Sequence, residues 1–102
     1  MIISGGFNIY PSDLEAVLKQ HPDVAEAAVV GVASEKWGET PIAFVVPKAG
    51  ATETGEQILA WVNDRVGKTQ RLSALTLVSE LPRSPIGKVL KRQLRDEYAA
   101  SH

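Results

Sequence analysis

Residues 24–46 read Val24-Ala25-Glu26-Ala27-Ala28-Val29-Val30-Gly31-Val32-Ala33-Ser34-Glu35-Lys36-Trp37-Gly38-Glu39-Thr40-Pro41-Ile42-Ala43-Phe44-Val45-Val46. Residues 24–33 are rich in Val and Ala, and residues 41–46 form a second β-prone run. The polar stretch 34–40, which contains Gly38, links them, so the two runs are expected to pair as antiparallel neighbours across a turn. Upstream, residues 1–4 read as a short strand entering Gly5-Gly6, a pair that lets the backbone take positive φ. Ser12 with Glu15 makes a capping-box pattern, and Leu14, Val17 and Leu18 share one face of the helix it opens, which His21-Pro22 then stops. Downstream, residues 48–55 are a small, polar loop. Thr54 with Gln57 makes a second capping box ahead of Ile58, Leu59, Val62 and Val66, with Gly67 expected at the C-cap. Residues 74–78 are a third short strand and residues 82–87 a stiff loop. Leu90, Leu94 and Tyr98 recur every four residues along a terminal helix. The order βαββαβα predicts a small two-layer α+β domain over residues 1–102, a mixed three-stranded sheet packed on one side against helices, with a short N-terminal strand or hairpin.

Composition narrows the function. Eleven Lys plus Arg stand against twelve Asp plus Glu, a formal charge of -1, so no global field recruits nucleic acid or an acidic membrane surface. The absence of cysteine excludes disulfides, thiolate metal sites and a cysteine nucleophile. His21 and His102 lack ligand-spaced neighbours, which leaves little from which to build a metal site; His21, before Pro22, reads as the end of a helix. The longest apolar stretch is too short to cross a bilayer and no signal sequence follows Met1, so no transmembrane segment and a cytoplasmic location are expected.

Two stretches carry chemistry. The first is Ser4-Gly5-Gly6-Phe7-Asn8-Ile9-Tyr10-Pro11-Ser12-Asp13-Leu14-Glu15. Its paired glycines permit close approach of a ligand or another segment and Phe7 offers an apolar wall, although a Gly-Gly pair alone is most often only a turn. The second is Leu81-Pro82-Arg83-Ser84-Pro85-Ile86-Gly87-Lys88. Two prolines stiffen the loop and Gly87 turns it, mounting Lys88 on a firm base with its flexible stem free. An ammonium so placed is either an ordinary solvated lysine or a movable charge for a site where negative charge accumulates.

Together, in this order, the two stretches resemble the small C-terminal domain of the adenylate-forming superfamily, which comprises acyl-CoA synthetases, luciferases and peptide-synthetase adenylation domains. Residues 3–15 match its Ser-Gly-Gly, Asn, aromatic-Pro and Glu pattern. Residues 81–88 match its Leu-Pro, Arg, hydroxyl, Gly and Lys pattern, and Trp37-Gly38-Glu39 matches a further signature. The resemblance runs from residue 1 to about 98. It implies that Lys88 is the catalytic lysine that bridges substrate carboxylate and α-phosphate during acyl-adenylate formation. It also implies that, after a large rotation, Ser4, Gly5, Gly6 and Phe7 line the CoA pantetheine tunnel for thioesterification. Tyr10 and Pro11 then set the helix start, Trp37 packs, and Glu39 touches the other domain or caps its turn. Lys91, Arg92 and Arg95 are expected to form a solvated face, the alternative being contact with the CoA 3'-phosphate region.

The partners implied are a large N-terminal domain, a carboxylic acid, ATP with Mg2+, and CoA; neither ATP with its Mg2+ nor CoA is expected to bind this fragment tightly. The fragment alone is expected to be inactive. A lysine acetyltransferase or deacetylase acting on Lys88 is a further implied partner. Residues 68–73 depart from the family's Tyr-Lys-x-Pro stretch, which puts any CoA contact there in doubt. The alternatives are a peptide-synthetase-type adenylation fragment, whose first motif is usually different, or a non-catalytic interaction module derived from this fold.

Overall fold

The structure is a computed structural model that describes residues 1–36, 38–67 and 70–101. The elements run β1 (Ile2–Ser4), β2 (Phe7–Ile9), α1 (Pro11–Lys19), β3 (Val24–Ser34), β4 (Gly38–Pro47), α2 (Gly55–Asn63), β5 (Ala74–Leu77) and α3 (Lys91–Ser101). The expected central hairpin is present. Strands β3 and β4 pair antiparallel from Val24↔Pro47 to Ser34↔Gly38, and β5 joins β4 in parallel, from Ile42↔Ala74 to Val45↔Leu77. Because β3 occupies one whole edge of β4, the other edge is shared: β5 takes its middle and β1 touches its start, at Ser4↔Gly38. The mixed three-stranded sheet β3-β4-β5 therefore carries β1–β2 as an appended N-terminal hairpin.

Alternation on β3 and β4 sends side chains to two faces, and both are apolar. Ala27, Val29, Ala43 and Val45 meet Leu14 and Leu18 of α1, Ile58 and Val62 of α2, and Ile2 and Ile9 of the hairpin. Ala28, Val30, Ile42 and Phe44 meet Leu81, Val89, and Leu94 and Tyr98 of α3. The expectation that the sheet packs helices on one side is corrected here. Helix α3 crosses to the second face, which explains why residues 27–30 read as a continuous apolar run rather than an alternation.

Thr54 is an N-cap as expected: Gln57 N–H donates to Thr54 Oγ1 (3.2 Å) and Thr54 N–H donates to Gln57 Oε1 (2.8 Å). Two of the other end signals are corrected. Pro11, with its φ already helical, takes the first position of α1, so Tyr10 becomes the N-cap without a side-chain bond and Ser12 lies inside the helix. Helix α2 stops at Asn63 with Asp64 as C-cap, short of Gly67. Asn63 turns outward to hold the chain after it, for Leu72 N–H donates to Asn63 Oδ1 (2.9 Å) while Asn63 Nδ2 donates to the Leu72 carbonyl (3.0 Å).

Glu15, freed from capping, accepts the N–H of Val29 (2.9 Å) and pairs with Lys91 at the start of α3 (2.9 Å). One carboxylate thus ties α1, β3 and α3 together. Glu15→Ala is expected to cost about 1–3 kcal/mol, because it orphans a backbone donor at a fully buried residue. Glu15→Gln, which keeps an acceptor and loses only the exposed pairing with Lys91, should cost under about 1 kcal/mol. Chemical denaturation of the two variants separates the contributions.

His21 does more than end a helix. It is buried, its Nδ1 accepts Asp23 N–H (3.0 Å), and its Nε2 therefore carries the proton donated to Glu53 (2.9 Å). Its ring meets Trp61 edge-on at 4.8 Å, so one imidazole joins the end of α1, the 48–54 loop and α2.

Candidate functional site

The β1–β2 turn is built by Gly5 (φ 57) and Gly6 (φ 85), two successive positive-φ residues, which is the geometry of a type I′ hairpin. A Cβ at Gly6 would meet nothing within 4 Å, so within this chain the backbone conformation alone demands glycine and the space above the turn is open. Ser4 is half-buried beside the sheet and Phe7, its cross-strand partner, is 55% exposed. The hairpin is seated through Ile2 and Ile9 in the first core. Two polar contacts hold it further: Ile3 N–H donates to Glu39 Oε1 (3.3 Å), and Gln70 Nε2 donates to the Asn8 carbonyl (3.2 Å). Glu39 thus anchors the hairpin, and Gln70 of the divergent loop bonds it as well. Trp37, Lys68, Thr69 and His102 lie outside the described residues.

Lys88 sits on a second hairpin, with a longer loop. Arg83 and Val89 form an antiparallel bridge, Ser84 N–H donates to the Lys88 carbonyl (2.8 Å), and Gly87 N–H closes the turn on the Ser84 carbonyl (2.8 Å). Gly87 takes φ +85 to make the turn. Leu90 N–H bonds the Pro82 carbonyl (2.8 Å), and Leu81 and Val89 root the base in the second core. Lys88 itself is exposed, and among the described residues no carboxylate pairs with its ammonium. Ile86 beside it is 89% exposed.

The structure does not bring the two motifs together. The glycine hairpin joins the sheet where Gly38 faces Ser34, whereas the lysine hairpin is tied through Arg83 to Glu26, near the opposite end of β3. From Glu26 to Ser34 the strand runs about 26 Å at roughly 3.3 Å per residue. The two are rooted in different cores, on opposite faces of the sheet. Sequence reading missed the Arg83–Glu26 and Glu15–Lys91 ties, whose partners are far apart along the chain and carry no local signature.

Among the described residues, two concave places stand out. One, of about 440 Å³, is lined by Glu15, Lys19, Glu26, Arg83 and Lys91 among others; the other, of about 160 Å³, lies between the N-terminus and α3, against Gly31, Glu39 and Arg95. Among the described residues no three His, Cys, Asp or Glu side chains converge to hold a metal. No described helix is long and apolar enough to cross a membrane.

Residues 13–88 match the AMP-binding enzyme C-terminal domain family. A 4-coumarate–CoA ligase-like protein of Oryza sativa is 50% identical over 91% of this chain and 17% of its own length. A fatty acyl CoA synthetase of Mycobacterium tuberculosis superposes with TM-score 0.89 at 39% identity, over 99% of this chain and 20% of that one. An o-succinylbenzoate CoA synthetase of Bacillus subtilis, solved with its acyl-adenylate intermediate, superposes with TM-score 0.83 at 38% identity, over 93% of this chain and 19% of that one. The chain therefore spans about a fifth of the length of the relatives it matches.

Proposed function

Because this chain belongs to the AMP-binding enzyme C-terminal domain family, we propose that it is the mobile C-terminal domain of an ATP-dependent acid–CoA ligase and serves its two half-reactions from opposite ends. In the first, Lys88 extends into a large N-terminal domain and neutralises charge shared between the substrate carboxylate and the α-phosphate of ATP. In the second, the domain rotates, withdraws Lys88 and presents Ser4, Gly5, Gly6 and Phe7 to the pantetheine arm of CoA. The observation that carries this reading is the opposite mounting of the two motifs on one β-hairpin, about 26 Å apart along β3. A single rigid body with two such surfaces can offer only one of them to a given pocket at a time.

The chemistry fits each surface. An ammonium with no carboxylate partner among the described residues, on a stiff base, is a point charge that needs no ion pair broken before it moves into a partner site. A bare glycine turn with open space above it lets a narrow thiol-bearing chain pass close to the backbone. ATP and CoA enter as co-substrates, with the nucleotide and acyl pockets assigned to the N-terminal domain and Mg2+ to the nucleotide. Acetylation of Lys88 would abolish the charge of the first half-reaction, which makes this exposed lysine a point of control.

The test is a carboxylic-acid panel with the full-length protein, following pyrophosphate release and thioester formation separately. At least one acid should support ATP-dependent pyrophosphate release without CoA and thioester formation with it. Pyrophosphate release that is indifferent to every carboxylic acid tried would remove the proposal.

A further inference from the structure

We infer that Arg83 is a positioning residue that fixes the peptide plane from which Lys88 projects. The inference rests on the reading of Lys88 as the ammonium of acyl-adenylate formation. The guanidinium is forked between two acceptors: its Nη1 donates to the Gly87 carbonyl (2.9 Å) and its Nη2 to Glu26 Oε1 on β3. The Gly87 carbonyl belongs to the same peptide unit as the N–H of Lys88, and that N–H donates to Ser84 Oγ on the other side (3.3 Å). The unit that launches the lysine is therefore gripped at both its polar atoms.

The grip matters because of what precedes it. Gly87 sits at φ +85, and glycine moves between left- and right-handed backbone more freely than any other residue. Without a restraint this peptide is the most easily turned in the loop, and turning it would swing the Lys88 stem away from its direction of reach. Arg83 converts that soft joint into one referenced to the sheet, through Glu26. Leu81 and Val89 hold the base of the hairpin in the core. The Arg83–Glu26 pair is about two-fifths exposed on each side, so its contribution to stability is small and its use lies in geometry. A planar fork can hold two acceptors in fixed relation, which an ammonium cannot.

The experiment uses the full-length enzyme and measures the half-reactions separately, with Lys88→Ala as reference. Arg83→Ala is expected to lower kcat for adenylation about 10- to 100-fold, the scale of a misplacement near 1 Å. KM for ATP and acid should change little, thioester formation from supplied acyl-adenylate should stay within about twofold, and the melting temperature should hold. Arg83→Lys, which restores charge without the fork, should remain close to Arg83→Ala. Should Arg83→Ala melt early, Glu26→Ala cuts the same clamp from the β3 side and is expected to reproduce the selective loss. Unchanged adenylation in Arg83→Ala while Lys88→Ala loses it, equal loss of both half-reactions, or full rescue by Arg83→Lys would each overturn the inference and leave the proposed function standing. Unchanged adenylation in Lys88→Ala would instead bring down that underlying reading.

Discussion

Lys88→Ala in the full-length enzyme is expected to slow acyl-adenylate formation by roughly 10²- to 10³-fold, the effect of removing one preorganised donor of about 2.7–4 kcal/mol from a developing negative charge. Thioester formation from supplied acyl-adenylate is expected to change by less than about tenfold, because the glycine hairpin at the other end of the sheet is untouched. Stability is the control. Lys88 is exposed, has no ion-pair partner among the described residues and contributes only backbone bonds to its turn, so the substitution should shift unfolding by no more than about 0.5 kcal/mol. Single-turnover measurements of the two steps, beside a thermal melt, decide the matter. A variant that loses both steps equally, or that keeps adenylation, contradicts the role assigned to the ammonium.

The second large effect is structural. Leu18→Ala is expected to destabilise the domain by about 2–5 kcal/mol, since Leu18 is fully buried where α1 meets β3 and its removal leaves a cavity that the surrounding strands cannot close. For a domain of this size each kcal/mol corresponds to about 4–8 °C, so the melting temperature should fall by at least about 8 °C. The loss should reach the glycine hairpin directly, because Ile2 and Ile9, which seat it, lie in the same cluster. Denaturant unfolding would show a lowered midpoint with an unchanged slope. A loss below about 1 kcal/mol would mean that α1 is not a core element of this fold.

Much of the architecture was legible because its causes are local. The Val-rich runs flanking a polar turn produced the β3–β4 hairpin, the Thr54–Gln57 pair marked the start of α2, and Gly5-Gly6 marked a positive-φ turn, each from side-chain and backbone preferences acting within a few residues. The first capping box failed on an equally local competition: Pro11, one position earlier, is better suited to begin a helix than Ser12 is to cap one. Glu15 then answered to Val29 and Lys91, fourteen residues and most of the chain away, for which no short pattern exists.

By itself, then, the amino-acid order determined which segments extend, which coil, and which two loops carry the paired glycines and Lys88, since those follow from φ preferences, periodicity and caps. Only the folded chain decided that α3 covers the second face of the sheet, that Arg83 reaches Glu26, and that the two loops stand at opposite ends of one hairpin. Those outcomes depend on which distant apolar surfaces bury one another, and the free energy of that burial belongs to the whole arrangement rather than to any stretch of it.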